Sequence, residues 1–235
     1  MAKKQTSLYM TAGEQIAGVV FFVIYLLVLP FATGPIFRFA ERLLGTSIPQ
    51  RVENLIYYYV LFAVTVIIFH RFLGRTTRNF FDRFTFAGKT ILIGLVGFYG
   101  LNELVYRLME LIVKSPTNLN DTTISAQIDD APRSTLLIII LLAPFVEEVL
   151  FRGLVFGNLK NKSRLLAYVV SCALFALLHV WQFAVVHQDM TYFLLCVQYF
   201  VPGLVLAWAY EHSGTLWSAI AVHAIVNALS ALTMM

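Results

Sequence analysis

Charge is scarce in this sequence. Asp, Glu, Lys and Arg make up 13% of its 235 residues, where an ordinary soluble domain carries about 25%. Cysteine is scarcer, with two residues, so no disulfide framework holds the chain. Cys172 and Cys196 both fall in apolar stretches, where a thiol behaves as a small hydrophobe. There is no internal repeat and no low-complexity tract. The net charge of +4 is not gathered into a basic patch interleaved with aromatics, which argues against nucleic acid as a partner. The local zinc-protease signature His-Glu-x-x-His is missing as well. A disordered or disulfide-built protein is thereby excluded. A soluble enzyme is disfavoured too, because a chain that is 59% hydrophobic would leave large apolar patches in water.

Long apolar runs are abundant instead. The mean hydropathy is +0.77, with twenty Phe and eleven Tyr. A helix needs about 20 apolar residues to cross ~30 Å of hydrocarbon. Such runs extend from Ile16 to Phe37, Leu55 to Phe72, Thr90 to Val113, Ser134 to Phe156, Leu165 to Val186, Thr191 to Tyr210, and Leu216 to the C-terminus. They predict an all-α polytopic bundle of seven spanning helices forming one membrane domain over residues 1–235. The polar stretch Lys114 to Arg133 reads as an external loop.

The first run is expected to remain as a span. It is longer than a signal-peptide h-region, and Phe31-Ala32-Thr33-Gly34-Pro35 is not an Ala-x-Ala cleavage site. With the N-terminus inside, inner segments carry Lys3, Lys4, Arg71, Arg75, Arg78, Arg83, Lys89, Arg152, Lys160, Lys162 and Arg164. Outer segments carry Arg38, Arg42, Arg51, Arg107, Lys114 and Arg133, a split of eleven against six that predicts N-in and C-out.

A charge at the centre of a spanning helix costs roughly 2.5–3.5 kcal/mol on insertion scales, so each one needs a reason. The fourth run holds Glu147, Glu148 and Arg152, the fifth holds His179, and the last holds His223 and Asn227. Adjacent helical residues point about 100° apart, so the two glutamates face different partners. Glu148 and Arg152 are spaced i,i+4, the geometry of an ion pair, whereas Glu147 must find its partner on another helix. Pro144 frees a backbone carbonyl, expected to be that of Ile140, one turn before the pair. His223 and Asn227 are also i,i+4 neighbours and can enter one pocket.

A carboxylate beside a neutral imidazole can deprotonate water, alone or with a metal, and Asn and His donors can stabilise an oxyanion. The structural alternative is an inert ion pair with helix-to-helix histidine hydrogen bonds. A bis-histidine haem carrier using His179 and His223 leaves the carboxylates without a role. Elsewhere, Glu103 and Arg107 predict a local i,i+4 pair, and His70 and Arg71 predict snorkelling. His187 and His212 predict interfacial positions. Tyr57, Tyr58 and Tyr59 predict a headgroup-level belt, and Pro202-Gly203 predicts a kink.

In these residues the sequence resembles the membrane-embedded CAAX-protease and bacteriocin-processing family, also called CPBP or Abi. Glu147, Glu148 and Arg152 match its paired-glutamate and arginine motif. Phe175 and His179 match Phe-x-x-x-His, and His223 and Asn227 match His-x-x-x-Asn. Gly203, Trp208, Tyr210, Gly214, Leu216 and Trp217 resemble the approach to the last histidine, so the likeness covers roughly Ser134 to Asn227. It implies an intramembrane endopeptidase of a membrane-associated peptide or lipidated, CAAX-type protein, residing in a bacterial plasma membrane. The implied roles are water activation by Glu147 and His179, oxyanion or carbonyl binding by His223 and Asn227, and shaping of the site by Glu148 and Arg152. The resemblance leaves open whether Zn or another divalent metal takes part. If one does, its ligands would be Glu147, His179 and His223. Some relatives act as non-proteolytic regulators or peptide-immunity proteins, which stands as the alternative. Membrane lipid and a peptide or lipidated protein are the implied partners.

Overall fold

The computed structural model describes residues 9–112 and 118–235. The expectations placed on Lys3, Lys4, Val113 and Lys114 therefore lie outside the described residues. Helix α1 spans Ala12–Leu44, α2 Gln50–Asp82, α3 Phe84–Ile112 and α4 Leu119–Asp130. Helix α5 spans Pro132–Lys160, α6 Arg164–His187, α7 Met190–Ser213 and α8 Leu216–Met234. All except α4 are long and apolar enough to cross a membrane, which makes seven among the described residues and bears out the polytopic helical bundle. Much of the polar stretch read as a loop is helical. Asn118 caps α4 by accepting the backbone N–H groups of Asn120 at 3.1 Å and Asp121 at 3.4 Å.

The bundle is organised around α5. In its most apolar stretch 67% of residues are buried, against 17% in α2 and in α3. Those two helices turn residues such as Ile67 and Val96 outward, towards lipid. Helix α1 starts at a capping box in which Thr11 Oγ1 accepts from the Glu14 N–H while the Glu14 carboxylate accepts from Thr11 N–H. The same carboxylate accepts the Phe72 N–H at 2.6 Å and Arg75 Nη2 at 3.3 Å. Phe69, at φ −103° and ψ 18°, breaks the helical path of α2 just before that point. Glu14 thus caps a broken helix from inside the bundle.

Two prolines impose π-helical turns. In α1 the turn Ile24–Val28 precedes Pro30, and in α5 the turn Ile138–Leu142 precedes Pro144. A proline ring collides with the carbonyl four residues back, and widening the helix to an i−5 register moves that carbonyl away. The N–H of Ala143 accordingly donates to Ile138 O. The next bond in this register would run from residue 144 to Ile139 O, and proline cannot make it. The carbonyl freed by Pro144 is therefore that of Ile139, not Ile140. Asn227 Nδ2 donates to it at 2.7 Å.

The entry to α8 is pinned to α2. Gly214 adopts φ +70°, Thr215 Oγ1 donates to Thr76 O at 2.9 Å, and the Leu216 N–H donates to Thr76 Oγ1 at 2.6 Å. Trp217 Nε1 adds a bond to Thr77 Oγ1 at 2.8 Å. These contacts fix the depth at which His223, two turns along, meets α5. The expected Glu103–Arg107 pair forms at 2.7 Å, and α7 runs unbroken through Pro202.

Candidate active site

The sequence places the two glutamates on one helix, and the fold gives them opposite surroundings. Glu148 and Arg152 have no exposed surface. Arg152 Nη1 donates to Glu148 Oε1 at 2.8 Å, Nη2 donates to Gly203 O at 3.2 Å, and the guanidinium carbon lies 4.3 Å from the Phe175 ring centre. Glu148 Oε1 also accepts His223 Nδ1 at 2.8 Å. A π-helical segment, Val149–Phe156, carries this part of α5. The i,i+4 pair is as the sequence predicts, and the bond to His223 adds a link that spacing alone does not show.

Both imidazoles are held by Nδ1. His179 Nδ1 lies 2.8 Å from Phe175 O, and a carbonyl only accepts, so Nδ1 carries the proton. The same reasoning applies to His223 against the arginine-paired Glu148. Both Nε2 atoms are therefore left with free lone pairs, at 4.0 Å (His179) and 3.9 Å (His223) from Glu147 Oε2. These separations exceed a direct hydrogen bond and match the span that one bridging water covers. Glu147 is 7% exposed, and its Oε2 is buried without a hydrogen-bond partner. The acid and both imidazoles thus converge as the sequence predicts.

These groups line a chamber of about 800 Å³ that also reaches Asn227, Tyr25, Tyr57, Tyr58 and the start of α4. Tyr57 and Tyr58 turn towards this chamber, and only Tyr59 is exposed as a belt residue would be. Asn227 reaches the chamber with one amide hydrogen already donated to Ile139 O, leaving its second amide hydrogen and Oδ1.

Tyr199 was not predicted. Its ring stacks on His179 with centres 4.5 Å apart and planes inclined by 19°, while its hydroxyl exchanges hydrogen bonds of 2.9 and 3.0 Å with the Asn118 amide. The cap of α4 therefore also fixes the plate over His179. Residues separated by 81 positions with no shared periodicity give no sequence signal for this contact.

Among the described residues no group of three or more His, Cys, Asp and Glu side chains is gathered closely enough to hold a metal ion. The donor types of Glu147, His179 and His223 suit one. Their 3.9 and 4.0 Å separations are wider than the roughly 3.3 Å ligand-to-ligand edge that ~2.0 Å bonds give in a tetrahedral site.

Part of the chain is similar to known proteins. Residues 130–229 match the model of a family described as type II CAAX prenyl endopeptidase, Rce1-like. A UPF0177 protein, YxdF, from Lactococcus lactis subsp. lactis (strain IL1403) is 31% identical over 87 residues. That match covers 37% of this chain and 42% of the relative, so the chain spans less than half the length of the curated protein it resembles. No solved structure matches. Glu147, Glu148, Arg152, His179, His223 and Asn227 all fall within the segment that is similar to the Rce1-like type II CAAX prenyl endopeptidase family.

Proposed function

We propose that the protein is an intramembrane endopeptidase that hydrolyses a peptide bond in a membrane-associated peptide or lipidated protein. The observation that carries this reading is the unpartnered, buried Oε2 of Glu147 facing two Nε2 lone pairs across a water-sized gap. Water held there donates one hydrogen to Glu147 and is oriented by His179 Nε2, so its oxygen lone pair points into the chamber. As that oxygen attacks a substrate carbonyl, Glu147 takes the proton and later delivers it to the leaving amine. The free amide hydrogen of Asn227 supplies a donor to the developing oxyanion. His223 Nε2, as an acceptor, helps to orient the water from the second side. Arg152 holds the Glu148 carboxylate in place, and Glu148 in turn accepts from His223 Nδ1, which fixes the orientation of the His223 ring.

If Zn or another divalent ion binds, Glu147 Oε2 and the two Nε2 atoms would hold it, after closing by several tenths of an ångström, and it would lower the pKa of bound water. The basic-residue split supports an N-in, C-out orientation.

The test is cleavage of membrane-associated and lipidated peptides by the purified protein in lipid. Glu147→Gln is expected to abolish product while the chain folds as before. Undiminished cleavage by that variant overturns the assignment. Uncut peptides and a Glu147→Gln variant that keeps its biological effect would point to the regulator or immunity alternative. Elemental analysis, and activity after chelation, decide the role of metal.

A further inference from the structure

Helices α1 and α5 run antiparallel, in a register fixed by two contacts. Gly18 abuts the Leu154 side chain, and the Phe22 ring meets Phe151 edge-on with centres 5.3 Å apart. One turn further along α1 is Tyr25, and one turn back along α5 is Glu147, so the two stand opposite each other. Tyr25 is near enough to Glu147 to feel its charge. It sits in the π turn Ile24–Val28, and widened turns of this kind recur at functional sites. The side chain is only 6% exposed, yet its hydroxyl makes no hydrogen bond to any described residue. A tyrosine hydroxyl in such surroundings ordinarily has a partner. This one is not sealed in the core, and the exposed part of the side chain opens into the chamber beside Glu147. A free donor is thus presented to the chamber from α1, while Asn227 reaches it from α8.

We infer that the Tyr25 hydroxyl donates a hydrogen bond to the carbonyl oxygen of the reacting bond, and that this bond strengthens as the oxygen becomes an oxyanion. The inference rests on the hydrolase reading for the identity of that bond. A peptide backbone offers acceptors only at its carbonyls, and the carbonyl nearest Glu147 is the one that its water attacks. That oxygen has two lone pairs, and in the mechanism above Asn227 takes one of them. Both imidazoles are engaged there as acceptors towards water, so the second lone pair is left for Tyr25. The phenol keeps its proton throughout, and its contribution is electrostatic. Tyr25 lies outside residues 130–229, so the first helix completes a site that the matched segment does not contain by itself.

The test uses the full chain in phosphatidylcholine nanodiscs, a dodecanoyl hexapeptide amide and its phosphinic isostere. In the isostere a phosphinate and a methylene group replace the cleaved bond, or the middle bond where none is cleaved, so its charged oxygens stand in for the oxyanion. Tyr25→Phe keeps the ring and loses no bond within the protein, so the unfolding midpoint is expected to hold. Its kcat should fall about 10²-fold, the effect of removing one oxyanion donor, with KM within about twofold. Affinity for the isostere, read by fluorescence anisotropy, should fall on the order of tenfold while that for the parent peptide is unchanged. An unchanged kcat, a rise in KM alone, or equal affinity of both chains for the isostere would overturn the inference. So would a shifted pH profile with its plateau rate intact, which would make Glu147 itself the partner of Tyr25. Full activity of Tyr25→Phe beside an inactive Glu147→Gln removes the inference and leaves the hydrolase reading. Isostere binding that depends on Tyr25, without cleavage of the parent peptide, does the reverse. A wild-type chain that does not bind the isostere overturns the inference.

Discussion

Glu14 and Glu147 are both buried carboxylates on apolar helices, yet their surroundings differ completely. Glu14 accepts from Thr11 N–H, Thr11 Oγ1, Phe72 N–H and Arg75 Nη2, so both oxygens are satisfied by donors. Glu147 has an oxygen with no partner, aimed at two imidazoles and a chamber. The first is a joint between helices, since it ties the start of α1 to the Phe72 N–H and to Arg75 on α2. The second keeps an unsatisfied group, which costs about 1–3 kcal/mol of stability, at the wall of a chamber where a bound water or substrate can reach it.

The contrast can be broken by exchanging effects between the two sites. The largest expected effect is on turnover: Glu147→Gln should lower the rate about 10²–10⁴-fold, as loss of a general base does, while the unfolding midpoint in detergent stays unchanged or rises. A fall in stability comparable to that of a Glu14 variant would erase the distinction. Conversely, Glu14→Ala should cost roughly 1–3 kcal/mol by leaving the buried Phe72 N–H without its acceptor, with activity per folded molecule retained. Denaturant titration alongside a single-turnover assay reads both quantities.

Next in size is Asn227→Ala, expected to cost ~1–3 kcal/mol because Ile139 O loses its donor. Adding Pro144→Ala supplies a backbone N–H in the π register and should return most of that stability but none of the activity. Additive losses in the double variant would show that the proline and the amide are unrelated. The smallest expected effect belongs to Tyr199. Tyr199→Leu removes the plate over His179 and should lower the rate several-fold, in line with the ~0.5–1.5 kcal/mol of an aromatic contact, whereas Tyr199→Phe should keep most of it. Equal losses in both variants would assign the effect to the Asn118 bond instead.

Much of this arrangement is legible in the sequence because helical spacing is a one-dimensional rule. Glu148 with Arg152, Glu103 with Arg107, and the common outlook of His223 and Asn227 all follow from four-residue steps. Glu14 has a local signal in Thr11 three residues before it, a capping box, but its bond to the Phe72 N–H on α2 has none. Other features need the folded chain. Which carbonyl Pro144 releases depends on the width of the turn. The partners of Tyr199 depend on how α4 lies against α7. A loop-like composition in the stretch after α3 concealed a helix whose stability comes from its cap and its packing rather than an apolar stripe.

Gly203 shows how far a missing side chain can reach. A β-carbon at this position would stand 3.3 Å from the Cα and Cβ of Cys172, tighter than such contacts usually are. Because only hydrogen occupies that space, α6 and α7 can close upon each other beside α5, and the Gly203 carbonyl comes within reach of the Arg152 guanidinium. That guanidinium orients Glu148, and Glu148 in turn orients His223. One methyl group added on α7, touching no acid and no imidazole, would therefore be felt in the chamber wall as a loosened ring.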